Sequence, residues 1–273
     1  AVSAGNLHTC AVADGSAYCG RSSAAEGLSV DVGGRSTVPN KVGGLLTGKT
    51  VTSITTGQNH TCAIADGAAY CWGVGNLGAL GNDALDSSPV PVAVQGMGNQ
   101  TVTSIRAGFT HTCATADGFV YCWGLDTSGQ LGNNSNGMTV KVATLVAGPI
   151  TAKVATAVRV GEDHSCALVG GDVYCWGSDT YGQLGNGPGG PVYSPELVAG
   201  LPAGKVTALT AGARHTCAIA DGAMYCWGRN DLDQLGTYTS GLPVQTPTPV
   251  VLPAGSEFRS FRAGANHTLL LTA

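Results

Sequence analysis

Short extended runs separated by turn residues dominate the chain, and residues 51–94 show them most clearly. Val51 to Thr56 alternates apolar and polar positions, Gly57 to Asn59 interrupts it, and His60 to Ala65 and Ala68 to Gly73 flank an Asp-Gly pair. Period-two alternation bounded by turn formers predicts strands, and Asp66-Gly67 between two such runs predicts a two-residue hairpin. Pro89 to Val94 adds a fourth extended run, and helical periodicity of comparable length is absent. The unit is a four-stranded antiparallel sheet.

That unit recurs. HTCAVADGSAYC starts at His8, HTCAIADGAAYCWG at His60, HTCATADGFVYCWG at His111, HSCALVGGDVYCWG at His164, HTCAIADGAMYCWG at His215, and HTLLLTA at His267. The histidines lie 52, 51, 53, 51 and 52 residues apart, and they are all six histidines of the chain. Repeats fall at about 1–51, 52–102, 103–154, 155–206 and 207–258, with a partial copy at 259–273. A four-stranded sheet cannot bury its faces alone, so repeated sheets must pack on their neighbours. The expected fold is all-β: a single propeller domain over 1–273, with five complete blades and a partial sixth.

Each repeat also carries two cysteines on either side of its turn, accounting for all ten. Counting outward from Asp66-Gly67, Cys62 faces Cys71 on a non-hydrogen-bonded pair, where the alpha carbons approach to roughly 4.5 Å, within disulfide reach. The same count pairs Cys10 with Cys19, Cys113 with Cys122, Cys166 with Cys175 across Gly170-Gly171, and Cys217 with Cys226. Buried free thiols and zinc are the alternatives. Structural zinc needs four converging ligands, and beyond one histidine and two cysteines no fourth recurs. The geometry favours disulfides, which place the chain in an oxidising setting: extracellular, periplasmic or on a cell surface.

Composition narrows the partners. Charged residues make up 11%, the formal net charge is −4, and 42 residues are glycine. Nucleic-acid binding normally requires a basic stripe, so that class is set aside. No apolar run is long enough to span a membrane. The chain begins without an initiator methionine or a charged-then-apolar leader, which reads as a mature or trimmed chain. Asn59, Asn99, Asn133 and Asn266 begin Asn-x-Ser/Thr sequons.

The combined Ala-Gly-x-x-His turn, Tyr-x-Trp-Gly strand end and Gly-Gln-Leu-Gly loop carry a family resemblance. They stand together in RAGFTHTCATADGFVYCWGLDTSGQLGNN at 106–134, with valine before the turn glycine in RVGEDHSCALVGGDVYCWGSDTYGQLGNG at 159–187, and with aspartate opening the loop in TAGARHTCAIADGAMYCWGRNDLDQLGT at 210–237. The chain resembles the regulator of chromosome condensation repeat family over nearly its whole length. The resemblance implies a propeller, typically seven-bladed, in a family that includes a GTPase exchange factor, a plant light receptor, ubiquitin ligase modules and bacterial enzyme inhibitors. Fold alone leaves the function open. The present chain departs from the family in having five full periods and a remnant. Gly20 stands where later repeats have Trp72, Trp123, Trp176 and Trp227, and SSAAEGLSVDVGG replaces the first Gly-Gln-Leu-Gly loop. Such a terminal repeat reads as a cap or seam.

The repeated residues have structural readings. The histidines are expected to hydrogen-bond backbone within each blade, the tryptophans to pack between sheets, and Gly129, Gly132, Gly182 and Gly185 to take positive φ. The amides of Gln130, Gln183 and Gln234 are expected to satisfy loop carbonyls. Asp126, Asp179 and Asp231, after Trp-Gly, are expected to form aspartate turns. Each histidine and cysteine belongs to the repeated frame, so no catalytic residue, metal site or cofactor is expected, and the chain reads as a non-enzyme.

Function is then sought where the frame varies. The turn pairs Asn6-Leu7, Gln58-Asn59, Phe109-Thr110, Glu162-Asp163, Ala213-Arg214 and Ala265-Asn266 should ring one end of the propeller. Leu7, Gln58, Phe109, Glu162, Asp163 and Arg214 are the candidate partner-binding residues, for a protein or a surface glycan. A structural subunit that self-assembles through its incomplete terminal blade is the alternative, and a GTPase exchange factor a distant third.

Overall fold

The computed structural model describes residues 1–21, 36–135, 137–237, 239, 241–251 and 258–272. The replacement loop at 22–34 lies outside them. Five antiparallel four-stranded sheets follow in chain order. The first contains β1 (Val2–Ala4), β2 (His8–Ala13), β3 (Ser16–Arg21) and β4 (Ser36–Lys41). The second contains β5 (Val51–Thr56), β6 (His60–Ala65), β7 (Ala68–Gly73) and β8 (Ser88–Ala93). The third contains β9 (Val102–Ala107), β10 (His111–Ala116), β11 (Phe119–Gly124) and β12 (Val140–Leu145). The fourth contains β13 (Ala155–Val160), β14 (His164–Val169), β15 (Asp172–Gly177) and β16 (Val192–Leu197). The fifth contains β17 (Val206–Ala211), β18 (His215–Ala220), β19 (Ala223–Gly228) and β20 (Val244–Pro249). β21 (Phe258–Ala263) and β22 (Thr268–Thr272) pair as a two-stranded sheet, the partial sixth blade. Among the described residues no helix is long and apolar enough to cross a membrane.

Strand order within each blade is sequential, with the second and third strands joined by a two-residue turn. Asp66 and Gly67 have φ of 49° and 77°, both positive, as a primed hairpin turn requires. This turn sets Cys62 opposite Cys71, and Ala63 opposite Tyr70. In the fourth blade Gly170 and Gly171, at 61° and 87°, do the same for Cys166 and Cys175. All five cysteine pairs form disulfides with alpha carbons 4.1 Å apart. The fourth strand of the second blade runs Ser88–Ala93, one residue earlier than its apolar pattern predicts, because Ser88 pairs with Gly73 after a register shift in β7.

The chain divides into two compact units, Ala1–Thr127 with Gly137–Val146, and Ser128–Asn136 with Ala147–Ala273. In the first, the Cys10–Cys19 and Cys62–Cys71 disulfides lie in apolar layers with Val51, Ile54 and Trp72 and with Ile105 and Trp123 respectively. In the second, Cys166, Leu184, Leu209, Trp227 and Phe261 share one cluster. The apolar cores therefore lie between successive blades, built from one blade's disulfide and the next blade's tryptophan.

Candidate functional site

The turn joining the first two strands of each blade is built around glycine and histidine. A β-carbon on Gly57 would stand 2.6 Å from the His60 Nδ1, and one on Gly161 would stand 2.4 Å from the His164 Nδ1, so the imidazole folds back over a residue without a side chain. The ring then reaches forward. His60 Nε2 lies 2.9 Å from the Thr112 hydroxyl, His164 Nε2 lies 3.0 Å from Thr216, His8 lies 2.9 Å from Thr61, and His215 lies 3.1 Å from Thr268. These partners are side chains in the following blade. The expected backbone bond within the same blade is thus replaced, because the turn aims the ring along the chain of blades.

The direction of the bond follows from the hydroxyl. Thr216 has one proton and donates it to the Gln183 carbonyl at 3.0 Å, as Thr112 does to Ala79 at 3.2 Å. The imidazole must therefore donate from Nε2, leaving Nδ1 unprotonated. Burial, reinforced by the neighbouring histidine, pushes His60 down to about 4, His164 to about 3 and His215 to about 4. These rings are neutral linkers at physiological pH. The hydroxyl was legible, since every copy follows its histidine with threonine or serine.

The same carbonyls hold the tryptophans. Trp123 donates to Ala79 at 2.9 Å, Trp176 to Gln130 at 2.9 Å and Trp227 to Gln183 at 3.0 Å. A β-carbon on Gly132 would stand 2.8 Å from the Trp176 Nε1, and one on Gly185 would stand 2.7 Å from the Trp227 Nε1. The loop's last glycine therefore admits the indole as well as taking positive φ.

Two loop expectations need correction. The side-chain oxygens of Gln130, Gln183 and Gln234 accept the amides of Ser128, Tyr181 and Leu232 at 2.8, 2.8 and 2.9 Å; the glutamine acts as an acceptor, because each loop turns its N–H inward. Asp179 accepts from the Leu184 amide at 3.0 Å, clasping five residues of loop in place of an aspartate turn. Its counterpart in the fifth blade is Asn230, which accepts from Leu235 at 3.0 Å, and not Asp231, which is exposed and pairs with Arg229. Burial raises Asp179 to about 6.

The variable turn residues lie edge to edge. In the first unit the Asn6 amide donates to the Gln58 carbonyl at 3.4 Å and the Gln58 amide to Phe109 at 3.3 Å. In the second, Glu162 donates to Ala213 at 2.8 Å and Ala213 to Ala265 at 3.1 Å. Leu7 and Phe109 are 42% and 41% exposed. Arg214 forks onto Glu162 at 2.8 and 3.1 Å, bonds the Tyr181 hydroxyl at 3.2 Å and stacks over its ring. That fork holds the guanidinium further up, while burial and Glu162 raise Asp163. Tyr181 carries no signal in the turn motif, because it arrives from the loop of the same blade.

A blade stapled across its hairpin, a Gly-x-x-His turn clasping the next blade, and an indole seated on a Gly-x-Leu-Gly loop define a repeat type. The whole chain, residues 1–273, matches the profile of the RCC1-like domain. It belongs to the RCC1-like domain family. This RCC1-like chain is 33% identical to the human E3 ubiquitin-protein ligase HERC2 over 231 residues, 82% of this chain and 5% of that protein. It is 30% identical to the Arabidopsis thaliana ultraviolet-B receptor UVR8 over 233 residues, 83% of this chain and 52% of that one. The chain thus spans about half of UVR8 and a small part of HERC2. Prp20p of Saccharomyces cerevisiae shares the fold at a TM-score of 0.85 and 21% identity, over 100% of this chain and 68% of that one.

Proposed function

We propose that this chain is a non-catalytic binding module, a single propeller domain over 1–273, that holds a protein partner on its turn face in an oxidising compartment: extracellular, periplasmic or on a cell surface. A surface glycan is the other ligand class this face suits. The observation that carries the reading is a division of labour. The repeated histidines and tryptophans are spent on joining blades, whereas Leu7 and Phe109 stand out on turns linked edge to edge. Exposed aromatic anchors and arginine forks are the residue types that dominate interface energetics. The five disulfides support the compartment. Prp20p, a fold relative, was described with binding to Gsp1p and histones. The test is cross-linking mass spectrometry on the native chain in a cell-surface fraction, alongside a Leu7→Ala/Phe109→Ala/Arg214→Ala variant. Cross-links should map to the turns, and the variant should lose at least about tenfold in partner recovery. Equal recovery by the variant would sink the reading.

A structural-subunit reading rests on a different feature. β22 pairs with β21 and presents Leu269 and Leu271, 63% and 60% exposed. Among the described residues β22 pairs with β21 alone, and a strand edge beside apolar side chains favours strand addition. Sedimentation velocity that shows growth with concentration, abolished by Leu269→Lys/Leu271→Lys, would move the assignment there. Exchange-factor action is the third reading, and the disulfides weigh against a reducing cytosol.

A further inference from the structure

Two blade junctions, one inside each unit, have the same backbone frame and opposite fillings. In the second unit the turn positions are Glu162 and Arg214 and the loop position before Gly182 is Tyr181; the Arg214 side chain lies across them, bonded to both and 33% exposed. In the first unit the equivalent positions are Gln58, Thr110 and Leu77. Threonine does not reach across, and a cavity of roughly 190 Å³ remains, lined by Gln58, Asn59, Asn76, Leu77, Phe109 and Thr110 among others. The side chains of Gln58 and Asn59 in this lining are partly exposed and that of Asn76 is exposed. Each carboxamide offers both a donor and an acceptor to an incoming polar group.

The filled junction shows what such a space accepts: one protein side chain inserted from the turn face. Its chemistry differs here in a definite way. Gln58 replaces Glu162, so an inserted guanidinium would lack its carboxylate and be left uncompensated on desolvation. A cavity of about 150 Å³ is enough for a benzene ring, so this space suits one aromatic ring with a substituent. Phe109 at the rim supplies an aromatic neighbour, and the carboxamides of Gln58, Asn59 and Asn76 supply hydrogen-bond partners for a polar tip. We propose that this pocket receives a tyrosine side chain from a protein partner, its ring beside Phe109 and Leu77 and its hydroxyl on the carboxamides of Gln58 and Asn59. The inference deepens the turn-face reading and rests on it.

The experiment is titration of the full disulfide-bonded chain, labelled with ¹⁵N, with N-acetyl-tyrosinamide, N-acetyl-phenylalaninamide, N-acetyl-argininamide and methyl glucoside. Tyrosinamide should give saturable amide shifts at Gln58, Asn59 and Thr110. Gln58→Leu should weaken it about fivefold while leaving phenylalaninamide unchanged, as loss of one hydrogen bond predicts. Gln58→Glu/Thr110→Arg, which restores the filled arrangement, should weaken both ring probes at least tenfold. Dispersed spectra in each variant establish that it has folded. No shift with tyrosinamide, equal shifts with argininamide, a response to methyl glucoside in place of tyrosinamide, or indifference to Gln58→Leu would each overturn the proposal. If tyrosinamide fails while turn-face substitutions still abolish partner recovery, the pocket assignment falls and the binding face stands. If the pocket binds tyrosinamide while partner recovery is unaffected, the binding face falls instead.

Discussion

His164 shows how much one side chain can settle. Its ring sits on Gly161, donates from Nε2 to Thr216, and buries a bare Nδ1 that has no hydrogen-bond partner among the described residues. Protonation is therefore opposed by the fold, and the linkage has a sign. The folded-state values of His60, His164 and His215 lie below the ordinary 6.5, so the unfolded chain binds more protons as pH falls. Their contribution is complete above about pH 6.5 and is lost as pH drops toward 4 and 3. Asp179 acts oppositely, because its raised value makes the folded chain bind the extra proton between about 4 and 6. Urea unfolding between pH 6 and 4 should show stability falling by about 3 kcal/mol per pH unit, the net of three histidines against one aspartate. Asp179→Asn, the residue the fifth blade uses at this position, should raise stability at pH 7 by about 1–2 kcal/mol and steepen the acid slope. A flat profile would refute the neutral, bare-Nδ1 histidine.

At the level of the element, the hairpin is the unit the sequence writes most plainly. Its turn, its register and its disulfide all lie within nine residues, so alternation and an Asp-Gly pair were enough to place Cys62 opposite Cys71. Removing one staple through Cys166→Ala/Cys175→Ala should cost about 2.5 kcal/mol by loop-closure entropy, measured by urea unfolding at pH 7. A loss near zero would mean that packing alone fixes the hairpin. Legibility declined with distance and with loop shape. The histidine's partner lies one period away, so the repeat length was the available clue and an aimed ring could not be read from spacing. The roles of Gln183 and Asp179 depend on which way loop amides point, which composition does not encode. Asn230 makes the same clasp as Asp179 without a charge, so no carboxylate marks its position in the sequence.

For the whole molecule, the prediction is a mass: native chain should weigh ten hydrogens less than reduced chain, with peptides linked only between Cys10 and Cys19, Cys62 and Cys71, Cys113 and Cys122, Cys166 and Cys175, and Cys217 and Cys226. Ten free thiols in carefully isolated material would remove the argument for an oxidising compartment. The all-β blade architecture was legible because it is written five times over. The filled and unfilled junctions were not, since each depends on three residues drawn from two turns and a loop. The histidine-to-threonine bond has one further meaning. Each of the four bonds described starts from an imidazole in one repeat and ends on a hydroxyl in the next. A repeat so equipped is a coupling with one plug and one matching socket. Units of this kind can be duplicated or deleted between equivalent points without redesigning the joint, which lets evolution change the number of blades while altering only the faces they present.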